Sequence, residues 1–260
     1  MSLQTGLIHY LAENKIINSV PAYYTVFFVA VFAVIAVSYL LGSINSAIII
    51  SRCIYHDDVR KHGSGNPGTT NMLRTFGKGA ALLTLVGDML KTALSILFAG
   101  FLFGFWYFYG ISMNDGYCYI AGLFAILGHI FPVYYKFKGG KGVLCTATMV
   151  LILSPIPFAL LLTLFILIVV ASKYVSLGSV SAGVLYPVLL HGAFGLIDAI
   201  VEKPIPQSGL ISLSSIIVAI LIVWCHRANL QRISDRTENK ISFKKKTPES
   251  EEVVEDDDEE

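Results

Sequence analysis

Charge is scarce in this sequence. Only 14% of its 260 residues are Asp, Glu, Lys or Arg, where soluble domains carry about 25%. The hydrophobic fraction is 55%, more than a soluble core absorbs. Together these exclude a nucleic-acid-binding module and a disordered chain. Cysteine is sparse as well. Cys53, Cys118, Cys145 and Cys225 are scattered, none forms a C-x-x-C pair, and three sit at or inside apolar stretches. A disulfide scaffold is excluded, and neither metal nor cofactor is expected. The amino terminus lacks a basic n-region, and Glu13, Asn14 and Lys15 interrupt its apolar residues, so it is no cleavable signal peptide. No internal repeat divides the body.

What is present is a series of long apolar runs: 25–50, 80–110, 117–135, 143–153, 155–171, 180–197 and 210–225. A spanning helix needs about 20 mostly apolar residues, so the chain is expected to be an all-α integral membrane protein. The fourth and fifth runs pose a counting problem, because 143–171 is long enough for one helix. Pro155 and Pro157 argue for a break, and basic-residue parity decides. Lys and Arg collect on the cytoplasmic side. They cluster here at 52–78, at Lys136, Lys138 and Lys141, and at 227–246. All three clusters face one side only if an even number of spans separates each pair. That requires seven spans, with the amino terminus outside and the carboxyl terminus in the cytoplasm. Sixteen basic residues then lie inside, and Lys15 and Lys203 alone outside.

The net charge of +1 hides an asymmetry: residues 249–260 hold nine acids and no base, so the rest of the chain stands at +10. Such a tail cannot bury enough apolar surface to fold. The expected organisation is an extension over 1–21, a seven-helix domain over 22–243 and a disordered acidic tail over 244–260.

Polar residues gather in three clusters, all on the side assigned to the cytoplasm. The first runs from Arg60 through Gly63, Ser64, Gly65, Asn66, Gly68, Thr70 and Asn71 to Arg74. Gly permits positive φ and close backbone approach to an anion. The hydroxyls, amides and guanidinia around it suit a phosphate cradle. The G-x-G-x-x-G match inside it is rejected as a dinucleotide fingerprint, since no βαβ unit surrounds it. The second cluster follows His129 and comprises Lys138, Gly139, Gly140, Lys141 and Gly142 at the start of an apolar helix, a second phosphate-type site. It is no Walker A loop, because Gly142 rather than Ser or Thr follows Lys141. The third is His226 with Asn229, one helical turn apart, with Glu238 further on. Ser179 supplies a hydroxyl at another cytoplasmic turn. Asp88 and Lys91, at i and i+3 inside a span, are placed to pair, and ions at that depth are costly. Two phosphate-type loops with a histidine and hydroxyls imply two anionic substrates meeting at the bilayer surface, one of them with an apolar tail.

In order and composition these residues resemble the bacterial acyl-phosphate:glycerol-3-phosphate acyltransferase family. The resemblance rests on Gly42-Ser43-Ile44, the run Arg60 to Arg74, Asp88 with Lys91, Gly128-His129-x-Phe131-Pro132, Phe137 to Val143, Tyr174-Val175-Ser176-Leu177, His226-Arg227-x-Asn229 and Glu238-Asn239-Lys240. It covers roughly 22–243. It implies a seven-helix fold in the bacterial cytoplasmic (inner) membrane with the active site on the cytoplasmic face. The implied reaction moves a fatty acyl group from acyl phosphate to the 1-hydroxyl of sn-glycerol 3-phosphate. Lysophosphatidic acid and inorganic phosphate result, in the first acylation of phospholipid biosynthesis. An enzyme that makes the acyl phosphate is the implied functional partner, and membrane lipids surround the site. Carried over by position, Ser64, Arg74, His226 and Asn229 are catalytic, the two glycine loops and Ser179 bind substrate, and Glu238 is structural, beside Asp88 and Lys91. The chain departs from the family at Asn45 (usually Pro), Thr69 (Ala), Thr92 (Gly), Leu144-Cys145 (Ala), Gly178 (Ser) and Arg236 (Gly).

An acyl phosphate is already activated, so the site need only align hydroxyl with carbonyl and stabilise developing charge. Either His226 or a substrate phosphate oxygen takes the hydroxyl proton. Loop 63–74 is assigned to the phosphate of the acyl phosphate and loop 138–142 to glycerol phosphate. The His-x4-Asp pattern of acyl-CoA acyltransferases is absent: the residues five places after the six histidines are Asn14, Lys61, Pro67, Tyr134, Leu196 and Gln231. A transporter of phosphorylated metabolites predicts inverted repeats and midplane polar residues, and a non-catalytic scaffold leaves the glycine–cation loops unexplained.

Overall fold

The computed structural model describes residues 6–104, 107–108, 111–112, 116–201 and 209–241. Ten α-helices make up nearly all of it: α1 Gly6–Glu13, α2 Val20–Ser43, α3 Ser46–Ile54, α4 Thr69–Phe103, α5 Tyr117–Ile130, α6 Val143–Leu153, α7 Pro155–Ser172, α8 Val175–Val201, α9 Gly209–Cys225 and α10 Arg227–Ser234. The expected all-α chain carries one addition, an antiparallel ribbon of β1 Tyr107–Phe108 and β2 Ile111–Ser112. It occupies the end of the run expected to stay apolar to residue 110. The acidic tail expected over 244–260 lies outside the described residues.

Five helical segments are long and apolar enough to cross a bilayer: 20–54, 69–103, 117–135, 155–172 and 175–200. The bent pair α9–α10 makes a sixth candidate. Each of the seven apolar runs forms a helix, but α6 has only 11 residues and rises about 16 Å. It is too short to cross a hydrocarbon core of about 30 Å by itself. Ser154, with φ −149° and ψ 66°, ends α6 and is followed by Pro155 at the first position of α7. This is the break that the two prolines predict.

Helix packing rests on small residues, as expected where lipid supplies no hydrophobic drive between helices. Gly42 of α2 faces the backbone of Ala125, and Gly128 of α5 faces the carbonyl of Tyr39 and the backbone of Gly42 and Ser43. A side chain at either would push α2 and α5 apart. Tyr39 Oη donates to the Phe131 carbonyl at 2.7 Å across the same contact. Asn45 caps α3: its Oδ1 accepts from the Ile48 N–H at 3.0 Å. Gly178, where Ser is usual, lies against Phe165 and Val169, so α8 approaches α7 closely. The main core joins α5, α6, α8 and α9 through Tyr119, Ile126, Met149, Leu153, Tyr186 and Ile222, all nearly fully buried. Residues 6–13, within the expected amino-terminal extension, form α1, whose Gly6 rests on the Leu102–Gly104 backbone at the end of α4.

Candidate active site

The loop before α4 is held by its own side chains. Asn71, in the first turn of α4, is 2% exposed. Its Oδ1 accepts from the Ser64 N–H at 3.1 Å, and its Nδ2 donates to the carbonyls of Val59 at 3.1 Å and His62 at 3.0 Å. Every polar atom of this amide therefore fastens the loop. Gly63 adopts φ +55° directly over Asn71 Oδ1, where a side chain would collide. Arg60 is by its place in the sequence a candidate phosphate donor. It spends its guanidinium on Asp58, with Nε to Oδ1 at 2.9 Å and Nη2 to Oδ2 at 2.6 Å. That pairing holds the Asp58 carboxyl well below the usual carboxylate range and raises the Arg60 pKa. Ser64 and Arg74 stay exposed, and the open start of α4 at Gly68, Thr69 and Thr70 lies beside them.

The second glycine loop is built differently from the reading that its N–H groups face an anion. The Gly139 N–H donates to the Ile130 carbonyl at 3.1 Å and the Gly140 N–H to the His129 carbonyl at 3.0 Å. Both fasten the loop to the end of α5, and Gly140 rests on the His129 ring. Gly142 then turns with φ +76° and starts α6, leaving Gly142, Val143 and Leu144 along the cavity wall. The first turn of α6, with Lys141 beside it, is the anion-favouring part of this loop.

Lys141 links this loop to the third cluster. Its Nζ donates to Asn229 Oδ1, and Asn229 Nδ2 donates to Glu238 Oε1 at 2.7 Å. Lysine only donates and carboxylate only accepts, so the Asn229 amide has one permitted orientation. Glu238 also accepts from Ser176 Oγ at 2.8 Å and from Arg232 Nε at 2.7 Å. Burial pushes the Glu238 carboxyl up, but these donors outweigh it and the net shift is downward. Desolvation lowers the Lys141 pKa, partly offset by Glu238. His226 lies in the break after α9. Its Nδ1 is 2.8 Å from the Ile222 carbonyl, so Nδ1 carries the proton and Nε2 the lone pair. Burial brings this imidazole down to about 4, leaving it neutral at physiological pH. Arg236 sits at φ +57°, the left-handed conformation that favours glycine.

These groups surround a cavity of about 880 Å³. Of the residues assigned from sequence, Gly63, Ser64, Asn66, Gly68, Thr70, Asn71, Arg74, Asp88, Lys141, Gly142, Ser179, His226, Asn229 and Glu238 line it. Gly65, Lys91, Lys138, Gly139 and Gly140 do not. Ser179 Oγ donates within α8 to the Val175 carbonyl at 2.9 Å, leaving its oxygen able to accept. Arg232 and Asn239, neither of them among the residues assigned from sequence, line the cavity as well. The larger omission is an apolar arm formed by Leu85 and Met89 of α4, Ala147, Val150 and Leu151 of α6, Phe158, Leu161 and Phe165 of α7, and Tyr186 of α8. Such residues give no signal in a chain whose helices are apolar on every face.

Beneath the polar end, Asp88 and Lys91 form the expected pair at 2.9 Å, 2% and 4% exposed. Lys91 Nζ also reaches the Ile44 carbonyl at 2.9 Å and His129 Nδ1 at 2.8 Å. Ser46 Oγ donates to Asp88 at 3.1 Å. The cluster joins the α2–α3 break, α4 and α5 directly under the loop that ends in Lys141. Among the described residues no group of His, Cys, Asp and Glu is arranged to hold a metal.

The glycerol-3-phosphate acyltransferase family model matches residues 32–236. Glycerol-3-phosphate acyltransferase 2 of Bacillus cereus is 34% identical over 222 residues, 84% of this chain and 98% of its own. The glycerol-3-phosphate acyltransferase of Mycoplasmopsis agalactiae is 37% identical, over 79% of this chain and 91% of its own. Among solved structures, the fold is similar to PlsY (YgiH), an integral membrane glycerol 3-phosphate acyltransferase, in its glycerol 3-phosphate form. There the TM-score is 0.67 and the identity 29%, over 82% of this chain and 96% of that one. Against the lysophosphatidic acid form the TM-score is 0.64.

Proposed function

Because the chain belongs to the glycerol-3-phosphate acyltransferase family, we propose that it transfers a fatty acyl group from acyl phosphate to the 1-hydroxyl of sn-glycerol 3-phosphate. Lysophosphatidic acid and inorganic phosphate are the products, and an acyl-phosphate-producing enzyme supplies the donor. The observation that carries this reading is one continuous cavity with a cationic end, where α4 and α6 both begin, and an apolar arm. Two helix starts with Arg74 and Lys141 suit two phosphates. The arm suits the acyl chain.

The hydroxyl oxygen attacks the acyl carbonyl, the carbonyl carbon–phosphate oxygen bond breaks, and the departing phosphate carries off the charge. Ser64 and Arg74 attend the donor phosphate, and Lys141 with the first turn of α6 the acceptor phosphate. His226 Nε2 accepts a hydrogen bond from a substrate hydroxyl, and Asn229 orients Lys141. The hydroxyl proton goes to a phosphate oxygen. A phosphate ester with its second pKa near 6 is a stronger base than an imidazole brought down to about 4. His226 and Asn229 thus position rather than abstract.

In the same reading the body over 22–243 crosses the bacterial inner membrane seven times, with α6 as a short span in a distorted region. The amino terminus is outside, and the active site and acidic tail are cytoplasmic. Impermeant maleimide labels the exposed Cys53 in inverted vesicles and spares it in right-side-out ones if this orientation holds.

The test uses the purified full chain in detergent with labelled glycerol 3-phosphate and either palmitoyl phosphate or palmitoyl-CoA. Lysophosphatidic acid from the phosphate alone is the expected result. Product from the CoA ester alone overturns the donor. No product from either, with folded protein, overturns the substrate pair.

A further inference from the structure

The apolar arm has a defined depth. α6 starts at the polar end and its 11 residues rise about 16 Å, close to half of a hydrocarbon core of about 30 Å. That is the reach of an acyl chain in one leaflet. On α8, Tyr186 lies ten residues beyond Ser176, so about 15 Å below the polar network. Its ring lines the cavity and is 1% exposed. Its hydroxyl has no hydrogen-bond partner among the described residues. Beside it, outside the cavity, Tyr119 is fully buried, and its hydroxyl is 2.8 Å from Ser154 Oγ at the α6–α7 turn. Tyr186 and Tyr119 belong to the same buried core cluster, which also contains Leu153 at the far end of α6.

From this placement we infer that Tyr186 is the stop that sets which acyl-chain length the enzyme uses. This rests on the reading that the acyl group occupies the arm. A chain matching the arm ends against the phenol ring. A longer one must displace a ring buried in the core, or leave methylenes outside the arm. A mismatch of one methylene in an apolar pocket changes discrimination by about tenfold or more. The hydroxyl plays no part in this stop, since an unpaired buried hydroxyl costs stability and offers a methyl terminus nothing.

The experiment compares kcat/KM for myristoyl, palmitoyl and stearoyl phosphate with saturating glycerol 3-phosphate, in purified full-length protein. In Tyr186→Ala the stearoyl-to-myristoyl ratio should rise at least tenfold over wild type. In Tyr186→Phe, which keeps the ring, it should stay within twofold. In Ala147→Phe, which fills the arm nearer the polar end, it should fall at least tenfold. Should Tyr186→Ala fail to fold, Tyr186→Leu carries the same expectation with less volume removed. A folded, active Tyr186→Ala or Tyr186→Leu with an unchanged ratio overturns the stop while leaving the acyltransferase reading intact. A wild-type protein inactive on all three donors overturns that reading instead.

Discussion

The buried Asp88–Lys91 pair offers the sharpest test of how the site is held. In Lys91→Met the ammonium disappears, and three acceptors lose it together: Asp88 Oδ1, the Ile44 carbonyl and His129 Nδ1. Asp88 keeps Ser46 Oγ as its donor at 3.1 Å. Removing one partner of a buried pair costs about 3–5 kcal/mol, because the remaining charge is stranded. Removing both charges in Asp88→Asn/Lys91→Met strands no ion. It leaves the carbonyl and the imidazole nitrogen short of a donor, about 1–3 kcal/mol for each unsatisfied group. The double variant should therefore lie closer to wild type than the two single losses added together, with a coupling of at least about 1 kcal/mol. The functional consequence follows from His129, whose carbonyl holds the Gly140 N–H at 3.0 Å and whose ring lies under Gly140. A loosened His129 lets the Gly139–Lys141 backbone drift, so KM for glycerol 3-phosphate should rise more than kcat falls. Denaturant unfolding in detergent measures the first effect and steady-state kinetics the second. If the single losses add within about 0.5 kcal/mol, or if Lys91→Met leaves KM unchanged, the cluster is not what holds the loop.

Three further outcomes follow. Arg236→Gly removes a left-handed non-glycine residue, a conformation costing about 1–2 kcal/mol, offset in part by the greater unfolded freedom of glycine. The variant should melt a few degrees higher by thermal unfolding, with kcat unchanged. Asn71→Ala leaves the Ser64 N–H and two carbonyls without their amide partner. It should cost about 2–3 kcal/mol at roughly 1 kcal/mol per bond and lower kcat/KM for acyl phosphate, whereas a purely substrate-contacting Asn71 would leave stability untouched. His226 sits below its unfolded value at about 4, so between about pH 4 and 6.5 the unfolded chain binds the extra proton and wild-type stability climbs with pH. In His226→Gln the slope over this window should flatten, and an unchanged slope would place the titrating group elsewhere.

Much of this architecture is legible in one chain because lipid constrains composition strongly. The apolar runs and the prolines at 155 and 157 locate the helices and the α6–α7 break, and the polar clusters at one face anticipate the cavity. The failures share a cause. Arg60 and Arg74 look alike in sequence, yet Asp58, two residues before Arg60, neutralises one and not the other. Gly139 and Gly140 have the composition of an anion loop, but their N–H groups are claimed by carbonyls of α5. Lys91 and His129 are 38 residues apart and nothing local announces their contact. Each depends on which backbone or side chain the fold sets against a given donor, and composition carries no record of that competition.

The short α6 connects the fold to the chemistry. Its start lies beside Lys141, where the proposed reaction places a phosphate, and its far end meets the Tyr119–Ser154 corner about 16 Å away. A longer α6 would carry that corner further from the phosphate end and lengthen the arm beyond the reach of one leaflet's acyl chain. Leu151 on α6 and Leu162 on α7 line the cavity and are still 38% and 43% exposed, so the arm runs along helices whose outer faces meet lipid. In the proposed reaction a donor held in the bilayer and a water-borne acceptor meet where the apolar arm joins the polar end. Neither has to cross the other's solvent, where a phosphate in hydrocarbon or an acyl chain in water would each add many kcal/mol to the barrier.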